Sequence, residues 1–347
     1  MYFNDVRVGA TASGGEPVIL NSKGATAWVD GSNLLGSTVS SFAMNLAIEK
    51  AKEYGIGWVT CKGSNHFSIA GHWAMMAEEQ GLLGMAFTNT SPMVIPTRGA
   101  KPTYGTNPIS LAAPSTTKDD SFVLDMATTT VALGKVELAR RKGESIPDGW
   151  AADHEGRVTN TPGKVVDQDL YVPMEFPLLT NIFEADCLNG GGLMPLGGSE
   201  QNGGYKGYGL GMMVEIFCGI LSGSHYSTNV RRWGATDRVA DLGQCFVAID
   251  PAQFAPGFAE RMGMSFLDFF VSILVKADLN KMHRELPTAP DTPGPVKVPG
   301  DPERDHMAKC EEMGGIPYHV NIVAHVNKES GAFYCYVKTH CIRKRVV

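Results

Sequence analysis

Chemistry in this chain is expected first at His66, which closes the polar turn Gly63-Ser64-Asn65-His66 after the apolar run Trp58-Val59-Thr60-Cys61. An imidazole titrates near neutral pH without large tuning, so a histidine just past a strand end can exchange a proton with a bound molecule; the alternative is a surface histidine. Lys206, inside Gly-Gly-Tyr-Lys-Gly-Tyr-Gly, is either a phosphate partner or a solvated lysine. Asp125 follows the apolar Phe122-Val123-Leu124 and is expected to open a helix. There its carboxylate either favours the helix N-terminus or meets a ribose.

Other chemistries fit less well. Ser64 and His66 are two residues apart in a turn, and no G-x-S-x-G elbow accompanies them. His66 and His72 are six apart rather than the four that place two metal ligands on one helical face, and H-E-x-x-H is absent. Neither a Rossmann glycine fingerprint nor a P-loop follows an expected strand, so a nucleotide would need another frame. The seven cysteines are odd in number and form no C-x-x-C pair, which suits reduced thiols.

These residues need elements to hold them. Thr26 to Asp30 reads as a strand, and Val39, Phe42, Ala43, Leu46 and Ala47 keep a helical period until Gly55 caps it. Further helices are expected at 70–80, 125–141, 210–221 and 303–313, and further strands at 58–61, 82–88, 109–112, 122–124 and 244–249. Ten glycines between 190 and 211 read as a loop, which carries Lys206 and runs into the helix at 210, a fitting approach for an anion. An amphipathic region at 254–282 and a proline-rich linker at 287–302 precede the last helix. Strands alternating with helices predict a mixed α/β fold.

The chain has 347 residues, enough for about two domains by the usual prior. Its 30 basic and 36 acidic residues sum to a net charge of −6, so no positive field draws it to nucleic acid or an anionic bilayer. The apolar stretches 210–221 and 266–275 contain Glu215 and Asp268 and fall short of a membrane span, reading instead as buried helices. The N-terminus shows no basic region followed by an apolar one, so a cytoplasmic location is expected.

Five blocks in order resemble one family: Gly63-Ser64-Asn65-His66-Phe67, Thr88-Asn89-Thr90-Ser91-Pro92, Gly105-Thr106-Asn107-Pro108-Ile109, Leu124-Asp125-Met126-Ala127-Thr128, and Gly204-Tyr205-Lys206-Gly207-Tyr208-Gly209. Together with Gly134 to Ala139 and Val298 to Asp301, they are similar to the malate/L-lactate dehydrogenase type 2 family, within it to the malate dehydrogenases of invertebrate animals. The resemblance implies an α/β, three-layer mixed-sheet fold of the L-sulfolactate/malate dehydrogenase type, not a Rossmann fold. It implies a discontinuous substrate and dimerisation domain at 1–70 and 255–347, an NAD(P)-binding domain at 71–254, and a homodimer.

By position, the resemblance makes His66 the general acid/base and places Thr90, Asp125, Met126, Ala127, Lys206, Gly207, Pro299, Gly300 and Asp301 in cofactor-contacting segments. The implied reaction moves a hydride between NAD, or NADP, and C2 of a small 2-hydroxy or 2-oxo acid, malate and oxaloacetate first. Lactate, ureidoglycolate or imino-acid reduction, and a catalytically silent nucleotide-binding isoform, are the alternatives. Members of the family open with a helical segment bearing a Ser-His-Gly turn and an Arg that meet the substrate, and this chain is expected to start after it. Arg98 is then the candidate to hold the substrate carboxylate. Residues 165–188 and 264–280 are expected to be inserts, and the tail after His319 has no counterpart in the resemblance.

Overall fold

The computed structural model describes residues 2–116, 120–166, 188, 190–262 and 279–316. The chain divides into two compact units, Met1–Met282 and His283–Val347. The first opens with a short helix α1 (Tyr2–Arg7) and the hairpin β1 (Val18–Lys23) and β2 (Thr26–Asp30). Helix α2 (Gly36–Tyr54) ends at Gly55, whose left-handed backbone (φ 85°) closes the last turn as the sequence predicts. Next come β3 (Ile56–Ser64), α3 (Ala70–Glu78), β4 (Leu83–Thr88), β5 (Ile109–Ala113) and β6 (Phe122–Met126). Helix α4 (Leu133–Lys142) precedes three two-residue strands, β7 (Ala151–Ala152), β8 (Val158–Thr159) and β9 (Gly192–Leu193). Helix α5 (Gly204–Val214) continues into one π-helical stretch, Glu215–Ile220, and the unit's last strand is β10 (Leu242–Ile249).

Among the described residues β1–β6 and β10 form a seven-stranded sheet of order β1-β2-β3-β10-β4-β5-β6, and β8-β7-β9 form a small second sheet. Among the described residues of the larger sheet only β2 and β3 pair in parallel. Strand β10 shows why this is a three-layer arrangement. Its Phe246 and Ala248 pack with α2 and α3, whereas Cys245, Val247 and Ile249 pack with Val214, Phe217 and Cys218 on the opposite face. Alternate side chains of a strand point to opposite faces, so a strand apolar at every position has to be covered on both sides. A fully buried Val or Phe among them contributes about 1.5–3 kcal/mol. The fold is thus the mixed α/β, non-Rossmann arrangement expected from the sequence.

Three local expectations are corrected. Asp125 does not open a helix: it pairs with Ser110 inside β6, and α4 begins only at Leu133. Lys206 lies in the first turn of α5 rather than in a loop, because the helix starts six residues before the apolar run at 210. The run 210–221 is not buried all round; the π-helical stretch turns Ile216 and Ile220 outward, 50% and 56% exposed, while Glu215 turns in.

Helix α6 (Phe258–Met262) follows β10, and α7 (Leu279–Arg284) lies at the division of the two units. The second unit contains α8 (Asp301–Met313), two residues longer at its start than expected. Gly300, at φ 101°, supplies the left-handed turn into it. The expected helix at 266–275, the inserts at 165–188 and 264–280 except their edges, and the tail after His319 lie outside the described residues. No helix among the described residues is long and apolar enough to cross a membrane.

Candidate functional site

An open cavity of about 270 Å³ in the first unit has His66, Thr90, Met93, Thr106, Ala127, Ala132, Leu133, Gly134, Glu137 and Trp233 in its walls. His66 reaches it because β3 stops pairing just before it. The β10 ladder is irregular between Leu242 and Gln244, and beyond Ser64 the chain is held by side chains. Ser64 Oγ donates to Gln244 Oε1 at 2.9 Å, and Asn65 Nδ2 donates to the Leu34 carbonyl at 2.8 Å. Ser64 is therefore spent on the core and forms no dyad with His66.

Around His66 the contacts decide a proton's place. The Ser68 backbone N–H lies 3.3 Å from Nδ1, and a backbone N–H can only donate. In the neutral ring Nδ1 therefore carries the lone pair, and the proton sits on Nε2. The Tyr2 hydroxyl lies 2.5 Å from the same Nδ1 and donates to it in that state. The Tyr2 ring and Trp233 ring stand 5.6 and 5.4 Å from the imidazole, centre to centre. Burial between them pushes the His66 pKa below its ordinary value, favouring the neutral ring.

The opposite wall is built from two turns. Thr90 N–H donates to Asn107 Oδ1 at 3.0 Å, and Thr106 N–H donates to Thr90 Oγ1 at 2.9 Å. Gly105 permits this closeness, since a Cβ there would lie 2.1 Å from Thr90 Oγ1. Behind the turns sits Glu215, 2% exposed. Its carboxylate accepts from Asn107 Nδ2 at 2.9 Å, Asn89 Nδ2 at 3.4 Å and Ser227 N–H at 3.2 Å. A buried charge survives only when so partnered.

The cavity gathers His66, Thr90 and Ala127 from the residues singled out in the sequence. The others stand elsewhere. Asp125, exposed, accepts from the Gly71 N–H at 2.8 Å and so caps the start of α3. Met126 ends β6 beside Ala127. Lys206 is exposed on α5. Gly207 faces the core, where a Cβ would meet Leu196 N and O at 2.3 Å. Arg98, its side chain 78% exposed, is ion-paired with Glu200 at 2.7 Å. In the second unit Pro299 and Gly300 lead to Asp301. Burial pushes the Asp301 carboxyl up, but hydrogen bonds from Arg284, Arg304 and the Val298 N–H outweigh it and hold the pKa well below the usual range.

Sequence reasoning missed Tyr2, Trp233 and Glu215. Glu215 left one trace, a charge inside an apolar run, which marks a buried carboxylate with partners. Tyr2 and Trp233 left none, being 64 and 167 residues from His66 along the chain.

Comparison with known proteins adds lineage to this geometry. A family model described as malate/L-lactate dehydrogenase matches residues 1–327. The chain is 44% identical over 231 residues to a malate dehydrogenase of Pyrococcus horikoshii, covering 66% of this chain and 57% of that protein. The matched part thus spans just over half the length of that relative. It is 31% identical over 313 residues to a malate/(S)-sulfolactate dehydrogenase of Methanothermus fervidus, covering 90% of this chain and 78% of that one. The crystal structure of a malate dehydrogenase from Entamoeba histolytica superposes with a TM-score of 0.77 at 27% identity, covering 96% of this chain and 84% of that one.

Proposed function

The chain belongs to the malate/L-lactate dehydrogenase family, and from that premise we propose that it moves a hydride between NAD and C2 of a small 2-hydroxy or 2-oxo acid, malate and oxaloacetate being the pair assigned. The observation that carries this reading is His66, a histidine of defined tautomer in the wall of a cavity that is apolar on one side and hydroxyl-bearing on the other. Met93, Ala127, Leu133 and Trp233 suit a nicotinamide ring, and the Thr90 and Thr106 hydroxyls suit its carboxamide. When bound, the nicotinamide supplies or accepts the hydride at its C4.

His66 handles the accompanying proton. In reduction the imidazolium releases its Nε2 proton to the oxygen on C2 as charge builds there; in oxidation the neutral ring takes that proton back. Tyr2 serves both forms, donating to Nδ1 when it holds the lone pair and accepting when it holds the proton. The Tyr2 and Trp233 rings flank the imidazole and cover part of it.

On the same premise Lys206 is assigned to a cofactor phosphate and Asp125 to a ribose. Met126, Gly207 and the Pro299-Gly300-Asp301 turn are assigned to the cofactor path. Arg98 is assigned to the substrate carboxylate, and it would have to leave Glu200 to serve. The proposed division into a substrate domain (1–70, 255–347) and a nucleotide domain (71–254) takes His66 from the first and Thr90, Thr106 and Ala127 from the second. Exposed Ile216, Ile220 and Leu221 support a homodimer, and a cytoplasmic setting completes the proposal.

The test is oxaloacetate-dependent oxidation of NADH, followed by nicotinamide absorbance. Saturable turnover that disappears in His66→Gln is expected. The absence of any saturable NADH binding, read by fluorescence titration, would overturn the reading.

A further inference from the structure

Helix α1 has six residues, far too few to hold together in water by its own hydrogen bonds. It must therefore be docked, and its docking is unusual: its one fully buried residue is a carboxylate, Asp5, not an apolar side chain. Phe3 on the same helix is 82% exposed. Asp5 Oδ2 accepts from Arg231 Nη2 at 2.6 Å, and the two side chains are 7% and 9% exposed. Arg231 also donates through Nη1 to the Arg238 carbonyl at 3.2 Å, closing its own segment, whose ends Val230 and Ala240 pack together with Leu242.

Each partner of this ion pair sits next to a ring that touches His66. Tyr2 lies one helical turn before Asp5, and Trp233 lies two residues after Arg231. We propose that the buried Asp5–Arg231 pair is a positioning clamp for His66, tying α1 to the Val230–Ala240 segment so that Tyr2 and Trp233 close on the imidazole together. This rests on the reading of His66 as the acid/base. The physical argument is one of geometry rather than net stability. A buried ion pair gains little over an apolar contact of equal volume, but its short bond is directional, and with Nη1 held by the Arg238 carbonyl the guanidinium leaves little room for the two segments to shift. An apolar contact would let α1 slide, and a shift of about 1 Å at a catalytic group can lower a rate by about 10²-fold.

The groups facing His66 are few. Among the described residues Tyr2 comes from α1, Trp233 from the 230–240 segment and the Ser68 N–H from its own turn, and Glu137 of α4 lines the same cavity. Opening the clamp would free Tyr2 and Trp233 to move off the ring and admit water to it, while the Ser68 N–H and Glu137 stay in place.

Two readouts on the full chain need no enzyme activity. One is the His66 titration followed by its ring proton resonance, identified by its loss in His66→Gln. The other is the rate of His66 carbethoxylation by diethyl pyrocarbonate, read by peptide mass. In Asp5→Ala the His66 midpoint is expected to rise toward its ordinary value of about 6.5, and carbethoxylation is expected to quicken several-fold. Asp5→Glu, which keeps the charge but lengthens the arm by one methylene, falls between Asp5→Ala and wild type. Where activity is measurable, kcat falls by about 10–100-fold while KM for NADH holds. A folded Asp5→Ala, or the milder Arg231→Lys, with wild-type titration and reactivity overturns the clamp. Failure of both variants to fold also overturns it, since the pair would then serve the fold and not the position. Altered titration in a chain that never turns over oxaloacetate leaves the clamp standing and removes the proposed function.

Discussion

The two walls of the cavity face the same space and are held by opposite means. The Thr90–Thr106 wall hangs from the interior: two asparagines and a buried glutamate join the turns to α5 and the π-helical stretch, behind a helix packed so closely that Gly207 nearly touches the Leu196 backbone. The His66 wall follows a turn tied to the core but is covered from the outside, by a six-residue helix and the Val230–Ala240 segment, which reach His66 through Tyr2 and Trp233 and are joined by the Asp5–Arg231 pair. Interior support makes a wall inseparable from the fold; exterior support lets geometry at the site change while the fold persists. Damage to the first wall should therefore appear as lost stability, and damage to the second as lost activity.

Substitutions in each wall can break that contrast. The largest expected effect is His66→Gln, which keeps some hydrogen bonding but cannot exchange a proton. Turnover should fall by about 10²–10⁴-fold with NADH affinity and thermal midpoint near wild type, and a large fall in midpoint would place His66 with the interior wall. Glu215→Ala comes next. It takes one of two acceptors from the buried Asn107 and Asn89 amides, which keep the Gly211 and His225 carbonyls, and the carboxylate acceptor from the Ser227 N–H, so stability measured in urea should fall by about 1–3 kcal/mol. Retained stability with lost activity would erase the distinction between the walls.

Gly207→Ala forces a methyl against the Leu196 backbone and should cost about 1–3 kcal/mol. Gly209→Ala, two residues on with nothing within 4 Å, should gain up to about 1 kcal/mol from helix propensity. Equal effects at the two glycines would mean that α5 is not packed as described. Lys206→Ala is the smallest loss: exposed on the same helix, it should weaken NADH binding by about tenfold, one charge-assisted bond, and leave the midpoint unmoved. Unchanged affinity in a titration would return Lys206 to solvent.

A pH scan separates the walls in another way. The His66 pKa is lowered on folding, so the unfolded chain binds that proton first as pH falls. The stability associated with the neutral ring is present above its unfolded value of about 6.5 and is lost as pH drops through the folded one. His66→Gln should lack that portion of the acid-side slope.

How far the sequence went varies element by element. Strand β10, apolar at nearly every position, and helix α2, with its period and Gly55 cap, were legible because a strand's alternation, a helix's period and a cap are local. His66 was legible because it follows a strand end. Asp125 was misread because it resembles a helix start, while its true partner is the Gly71 N–H of a helix 54 residues earlier in the chain. Lys206 was misread because the glycines before the apolar run suggested a loop, and close packing against Leu196 and Tyr104 makes them helical instead.

The sequence by itself determined the alternation of strands and helices, the end of β3 as the place for chemistry, and, through its ordered blocks, the family. The tertiary structure decided that β10 enters between β3 and β4, that Ser64 serves Gln244, and that Tyr2, Trp233, Asp5 and Arg231 meet around one histidine. The reason is range. Backbone preferences and hydrophobic periods act within a turn or two of the chain. A tautomer, a buried charge or a cavity wall depends on groups up to 226 residues apart, which only the packed core brings within hydrogen-bonding distance.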